Sequence, residues 1–81
     1  MPSAGIVREW DDDEGSGVID SEDTPGGCWF HFSDIVTAAL GSPAPGQQVT
    51  FTYEMAPHDG FDYRAVRVWP PGAEPGGPLR P

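Results

Sequence analysis

Polar and apolar residues alternate most regularly from Gln48 to Met55, where Val49, Phe51 and Tyr53 are separated by polar residues. A period of two places successive side chains on opposite faces of a strand, so this segment is predicted to be a half-buried β-strand. Four shorter runs that are rich in β-branched and aromatic residues are also typical of strands. They cover residues 5–10, 17–20, 28–32 and 63–69.

The segments between these runs have the composition of turns and loops. Residues 11–15 combine four acidic side chains with a glycine, and residues 25–27 are Pro-Gly-Gly. Residues 37–46 and 56–62 are predicted to be a longer loop and a turn, and Ser33-Asp34 is predicted to cap a short helical turn. Five short strands without a long helix indicate an all-β fold, either a small barrel or a sandwich.

The strand pattern ends at Trp69. The residues that follow it include five prolines and three glycines, a composition typical of extended or disordered chain. We therefore predict one folded domain over residues 1–69 and a flexible Pro/Gly-rich tail over residues 70–81. Because the whole chain has 81 residues, the domain buries a small core and its stability is predicted to be modest.

Acidic residues outnumber basic residues by a wide margin. Thirteen Asp and Glu face four arginines and no lysine, which gives a formal net charge of −9. Eight of the thirteen lie between Glu9 and Asp23. A surface with this charge repels a polyanion, because non-specific nucleic-acid affinity comes mostly from cations that neutralise phosphates. The acidic excess therefore predicts either a surface that only confers solubility or a surface for a basic partner.

The sequence does not support catalysis, metal binding or a membrane location. His31 and His58 have no nucleophile in a recognisable catalytic setting, and the consecutive acids of residues 11–14 lack the alternating ligands of a calcium loop. We predict no enzymatic activity, no cofactor and no metal. Since no apolar run has the length of a membrane span and the single cysteine, Cys28, cannot form an internal disulfide, we predict a reduced cytoplasmic protein. It is predicted to be a monomer, with a dimer as the alternative, and Cys28 to be a small buried hydrophobe.

Four segments resemble cold-shock proteins in sequence and in order. The opening Gly5-Ile6-Val7-Arg8 resembles the family's Gly-x-Val-Lys, and Glu14–Ile19 is similar to its first ribonucleoprotein motif. Cys28–Ile35 matches the second motif, and Gly46–Phe51 resembles the fourth strand. The resemblance covers about residues 4 to 69, and the chain is identified as a divergent, acidic member of the bacterial cold-shock family. This implies a five-stranded antiparallel OB-fold barrel of the cold-shock-domain type.

The resemblance also implies a ligand. Cold-shock domains hold single-stranded RNA or DNA by stacking bases on aromatic rings, with basic residues near the backbone. The expected roles are then RNA chaperoning or transcription regulation. The alternative for the aromatic side chains is packing against one another or against the tail, and for the histidine an ordinary surface position. The positions that match the family's nucleic-acid-binding surface are Arg8, Trp10, Trp29, His31 and Phe32.

Other positions of that surface depart from the family. Glu9 replaces a stacking Trp, Ser16 and Val18 replace two Phe, Glu14 replaces a Lys, and Leu40 stands near a loop Phe. A stacked base contributes about 1–3 kcal/mol, so the loss of three rings removes up to roughly 9 kcal/mol, whereas a micromolar complex has about 8 kcal/mol in total. Binding is therefore predicted to be weak or assisted by a partner.

Two functions remain open from the sequence. One is weak binding of single-stranded nucleic acid by a divergent cold-shock protein. The alternative is an acidic OB-fold module that has lost most nucleic-acid binding and holds a basic protein, or that imitates a nucleic acid. Arg64 and Arg67 are placed either on phosphate or in pairs with acidic residues, and the acidic excess favours the pairs.

Overall fold

The computed structural model describes residues 2–36 and 42–72. Within these ranges the five predicted strands are present, and one 3-10 helical turn lies between the third and the fourth. The strands are β1 (Ser3–Asp11), β2 (Ser16–Asp20), β3 (Cys28–His31), β4 (Gln48–His58) and β5 (Phe61–Trp69), and the 3-10 turn is Phe32–Asp34.

The strands close into a barrel in the order β1-β2-β3-β5-β4. Four of the neighbouring pairs are antiparallel, as predicted. The predicted five-stranded barrel is confirmed, and its closing pair, β3 and β5, runs parallel. Their ladder is short: Cys28 pairs with Tyr63 and Trp29 with Arg64, and a single bridge from Ile35 to Val68 continues it.

The core lies inside the barrel and is built from the strand side chains that point inward. Phe30 and Phe51 are its largest fully buried side chains, so Phe30 belongs to the core although its neighbours in the chain lie on the outer surface. Position 17 requires a glycine, because a Cβ there would lie 2.9 Å from the Trp10 ring and 3.1 Å from the Phe30 ring. The buried cluster comprises Val7, Ile19, Cys28, Phe30, Val49, Phe51, Ala65 and Val68.

The hairpin of β4 and β5 is longer than predicted. The predicted turn over residues 56–62 shrinks to Asp59-Gly60, with His58 paired to Phe61. Asp59 has φ of 55° and Gly60 has φ of 89°, the two positive angles that a tight two-residue hairpin turn requires. Pro57 is tolerated in β4 because the register between Met55 and His58 is irregular there, so the missing N–H interrupts no regular ladder.

Two predicted segments lie partly outside the described residues. These are residues 37–41 of the predicted loop and residues 73–81 of the predicted tail. Among the residues that are described, no helix has the length and apolar character needed to cross a membrane.

Cys28 is fully buried, as predicted, and its thiol is free. Burial, and secondarily the charge of Asp34, raises its pKa to about 12 from a usual value of 9.0. The folded protein therefore retains this proton at a pH where the unfolded chain loses it. As a result the Cys28 contribution to the unfolding free energy is constant below pH 9 and declines as the pH rises from 9 toward 12.

We accordingly expect native Cys28 to resist thiol reagents and to react only when the protein unfolds. Urea denaturation at about pH 8 and about pH 10 should show a smaller loss of stability in Cys28→Val than in the original protein, because valine has no proton to lose. Rapid labelling of Cys28 in the folded protein, or an equal pH dependence in both proteins, would contradict this expectation.

Candidate nucleic-acid interface

Four rings form a continuous strip on the outside of the barrel, made by Trp29, His31, Phe32 and His58. The Trp29 ring lies 6.1 Å from His31 and 4.0 Å from His58, measured between ring centroids. His31 lies 4.6 Å from Phe32. Alternation along β3 places Trp29 and His31 on the outer face, while Cys28 and Phe30 point into the core. We call these four side chains the ring strip.

Arg64 supplies a cation at the ring strip. It pairs with Trp29 across the parallel β3–β5 ladder, and its guanidinium carbon lies 5.4 Å from the centre of the Trp29 ring. This is within the range of a cation–π interaction. The register of β5 thus fixes a positive charge beside the indole.

The 3-10 turn orients the next two rings of the strip. The backbone N–H of Ser33 donates to Nδ1 of His31 at 3.2 Å, and Asp34 Oδ2 accepts from the His31 backbone N–H at 2.9 Å. Because a backbone N–H can only donate, Nδ1 is the acceptor and the proton of the neutral ring is on Nε2. Phe32 begins the turn rather than ending β3, and its side chain is 60% exposed.

Trp10 lies apart from the ring strip and packs inward. Its ring stacks on the core residue Phe30 with centroids 5.3 Å apart, and its indole Nε1 donates to Asp12 Oδ1 at 2.6 Å. Ser16, Gly17 and Val18, which replace the family's first stacking motif, are buried in β2. As a result β2 has no aromatic side chain, and Trp10 on the neighbouring strand β1 is half-buried.

Arg8 is already engaged by an acidic neighbour. Its guanidinium forms an ion pair with Asp20, with Nη2 at 2.6 Å from Oδ1 and Nε at 3.0 Å. This hydrogen bond, more than the Asp20 charge itself, raises the pKa of Arg8. A phosphate would have to compete with Asp20 for this side chain, so Arg8 contributes less positive charge than the sequence predicted.

An acidic groove adjoins the ring strip at Trp29. Its volume is about 520 Å³, and the rings of Trp10, Trp29 and Phe61 line it together with Ser16, Gly17 and Val18. Six carboxylates lie around it, from β1, from the loop between β1 and β2, and from the turn between β4 and β5. They belong to Glu9, Asp11, Asp12, Asp13, Glu14 and Asp59.

The carboxylates are not arranged as a metal site. Within residues 2–36 and 42–72, no group of three or more His, Cys, Asp or Glu side chains is placed to hold a metal ion. Asp11 Oδ1 instead accepts from the backbone N–H groups of Asp13 and Glu14, at 2.9 and 3.2 Å. Asp11 thus shapes the loop that carries its neighbours.

Three side chains of the two surfaces were missed or given another role from the sequence: His58 of the ring strip, Phe61 of the acidic groove and Arg64 beside Trp29. His58 and Phe61 fell in a predicted turn, and Arg64 was expected to pair with an acid. Among the described residues the only ion pair is that of Arg8 and Asp20, so neither Arg64 nor Arg67 has an acidic partner there. The dipeptide Asp59-Gly60 was the available signal, because it is typical of a two-residue hairpin turn that extends both strands.

Comparison with known proteins identifies the architecture. No family model and no curated protein matches the sequence. Among solved structures, the chain is similar to a Drosophila structure of Unr cold-shock domains (CSD456), with a TM-score of 0.67 and 16% sequence identity. The match covers 98% of this chain and 29% of that one. At this identity the likeness shows the fold alone.

Proposed function

We propose that this protein, a closed five-stranded barrel with the cold-shock OB fold, binds single-stranded nucleic acid weakly through the ring strip. The observation that carries the proposal is the continuity of the strip: four rings lie 4.0–6.1 Å apart on one outer face, with a guanidinium over one of them. Unpaired bases stack on rings of this kind without strong sequence preference.

Compared with the site that the family resemblance implies, the proposed site gains residues on β4 and β5 and depends less on residues of β1. Trp29, His31 and Phe32 keep the roles implied by the family resemblance, and His58 and Arg64 join them from β4 and β5. Trp10 and Arg8 contribute less to the proposed site, because Trp10 stacks on Phe30 and Arg8 forms an ion pair with Asp20. The proposed nucleotide path therefore crosses β3 toward the hairpin of β4 and β5 rather than β1 and β2.

The charges keep the proposed affinity low. Two or three stacked bases contribute about 1–3 kcal/mol each, and a micromolar complex needs about 8 kcal/mol. Arg64 is the cation over the strip, whereas six carboxylates line the groove beside Trp29. Such a binder exchanges quickly between sites, which suits an RNA chaperone or a transcription regulator that acts as a cytoplasmic monomer.

Fluorescence anisotropy of labelled oligothymidine and oligouridine, measured at low and at physiological salt, tests the proposal. We expect a saturable rise at low salt that weakens as salt is added, because phosphate contacts release counterions. A blunt DNA duplex is the control and should bind less, since its bases are not free to stack. No rise with either oligonucleotide at low salt would overturn the proposal.

Two matched variants then locate the site. Arg64→Gln and Arg67→Gln change the net charge equally and lie on the same strand, but Arg64 is the one that lies over Trp29. We expect Arg64→Gln to weaken binding more than Arg67→Gln. Equal losses would show that binding depends on total charge and not on the ring strip.

A further inference from the structure

We propose that the acidic groove is a second binding site, which takes an arginine-containing segment of a basic protein. This goes beyond the nucleic-acid function, because the ligand has the opposite charge and most of the lining residues lie outside the ring strip. The groove volume of about 520 Å³ lies within the ordinary range for ligand pockets.

The groove combines two kinds of surface that a guanidinium recognises together. Trp10 and Phe61 contribute aromatic side chains to the lining, and the carboxylates come from separate segments, such as Asp13 from the loop between β1 and β2 and Asp59 from the turn between β4 and β5. Arginine stacks on aromatic faces and donates in a fork to carboxylates, whereas lysine is a compact and strongly hydrated point charge. An aromatic groove with acidic walls therefore favours arginine.

The groove carboxylates form no ion pair within the described chain, although the charge of Arg8 is close enough to interact with that of Glu9. The only ion pair among residues 2–36 and 42–72 is that of Arg8 with Asp20, and neither of these lines the groove. The six groove carboxylates thus repel one another as well as any phosphate. A cationic ligand relieves that repulsion, and it is the one class of macromolecular ligand whose binding the groove's charge favours.

Hydrogen bonds fix the acidic loop in place without a ligand. Asp12 accepts from the Trp10 indole, and Asp11 accepts from two backbone N–H groups of its own loop. These bonds hold the acidic loop against the aromatic surface. The groove is therefore largely formed before binding, which lowers the cost of ordering it around a ligand.

The probe for this site is a labelled peptide of alternating arginine and serine, with a lysine–serine peptide of the same length as its comparison. We expect the arginine peptide to bind the protein at low salt and the lysine peptide to bind several-fold more weakly, as ring stacking favours the guanidinium. Equal affinity of the two peptides, or no binding of either, would overturn the proposal.

Paired variants separate the groove from general acidity. The double substitution Asp13→Asn and Asp59→Asn removes one negative charge from the loop between β1 and β2 and one from the turn between β4 and β5. Asparagine suits the positive φ at position 59. Glu22→Gln with Asp23→Asn removes the same charge outside the groove. We expect the first pair to weaken arginine-peptide binding by about tenfold, or roughly 1.4 kcal/mol, and the second pair to have a much smaller effect. Equal effects would contradict a defined site.

Phe61→Leu tests the aromatic part of the groove and keeps the two functions distinguishable. Phe61 lies outside the ring strip, although it pairs with His58 across the hairpin, so its loss should weaken arginine-peptide binding strongly and oligonucleotide binding only slightly. Failure of the peptide to bind would leave nucleic-acid binding by Trp29 and Arg64 intact, and failure of the oligonucleotide would leave the groove intact. A peptide affinity unaffected by Phe61→Leu would overturn the aromatic contact.

Discussion

Replacing Phe30 with alanine is expected to remove about 3–5 kcal/mol from the free energy of unfolding, the usual loss for a buried Phe. Phe30 is fully buried, and its ring supports Trp10 from beneath. At about 0.05–0.15 kcal/mol per residue, a chain of 81 residues has roughly 4–12 kcal/mol in total. The variant should therefore lose about a quarter or more of its stability in urea denaturation monitored by circular dichroism.

Phe32→Ala is the matched control for this experiment. It removes the same side chain two residues away, but Phe32 is 60% exposed, and its ring lies beside His31 and close to Gly15. We expect a loss of less than about 1 kcal/mol, as for most surface substitutions. Similar losses for the two variants would mean that β3 does not alternate between core and surface in the way described.

Trp29→Ala is expected to weaken oligonucleotide binding by about 5- to 150-fold, which corresponds to the 1–3 kcal/mol of one stacked base. Trp29 lies between His31 and His58 and under the Arg64 guanidinium. Its removal therefore interrupts the strip at the point where rings and cation meet. The affinity is best measured by anisotropy of a labelled oligothymidine, because the variant also loses an intrinsic fluorophore.

Conservative substitutions of Trp29 and Trp10 provide the control. Trp29→Phe keeps a smaller ring and should retain part of the affinity, whereas Trp10→Phe should leave it nearly unchanged because Trp10 packs on Phe30. Circular dichroism would establish that each variant is folded. A larger loss for Trp10→Phe than for Trp29→Phe would place the nucleic-acid path across β1 and contradict the ring strip.

The fold was largely predictable because local patterns and family motifs agreed. The alternation around Val49 and Phe51 predicted β4, and the aromatic-rich run over residues 28–32 predicted β3. The prediction of β4 ended too early because Pro57 normally argues against a strand. The irregular register beside Pro57 compensates for the missing donor, and such an irregularity has no signature in a single sequence.

The candidate site was less predictable, since it depends on which strands become neighbours. Trp29, His31 and Phe32 lie close together in the chain, so a motif could identify them. Arg64 reaches Trp29 only through the parallel ladder of β3 and β5, a pairing between distant segments. The family motif likewise could not show that Arg8 is engaged by Asp20, because the aspartate comes from the neighbouring strand.

The parallel ladder between β3 and β5 has a consequence for how ligand binding would be detected. With two residue pairs it is the shortest of the five that close the barrel, and both Trp29 and Arg64 belong to it. Local opening of a β-structure starts where few hydrogen bonds must break. A nucleotide held by these two side chains joins the strands from outside and binds only the closed form, so it should slow amide hydrogen exchange along this seam. Ligand binding would then appear as a local stiffening of the barrel, without a change in its shape.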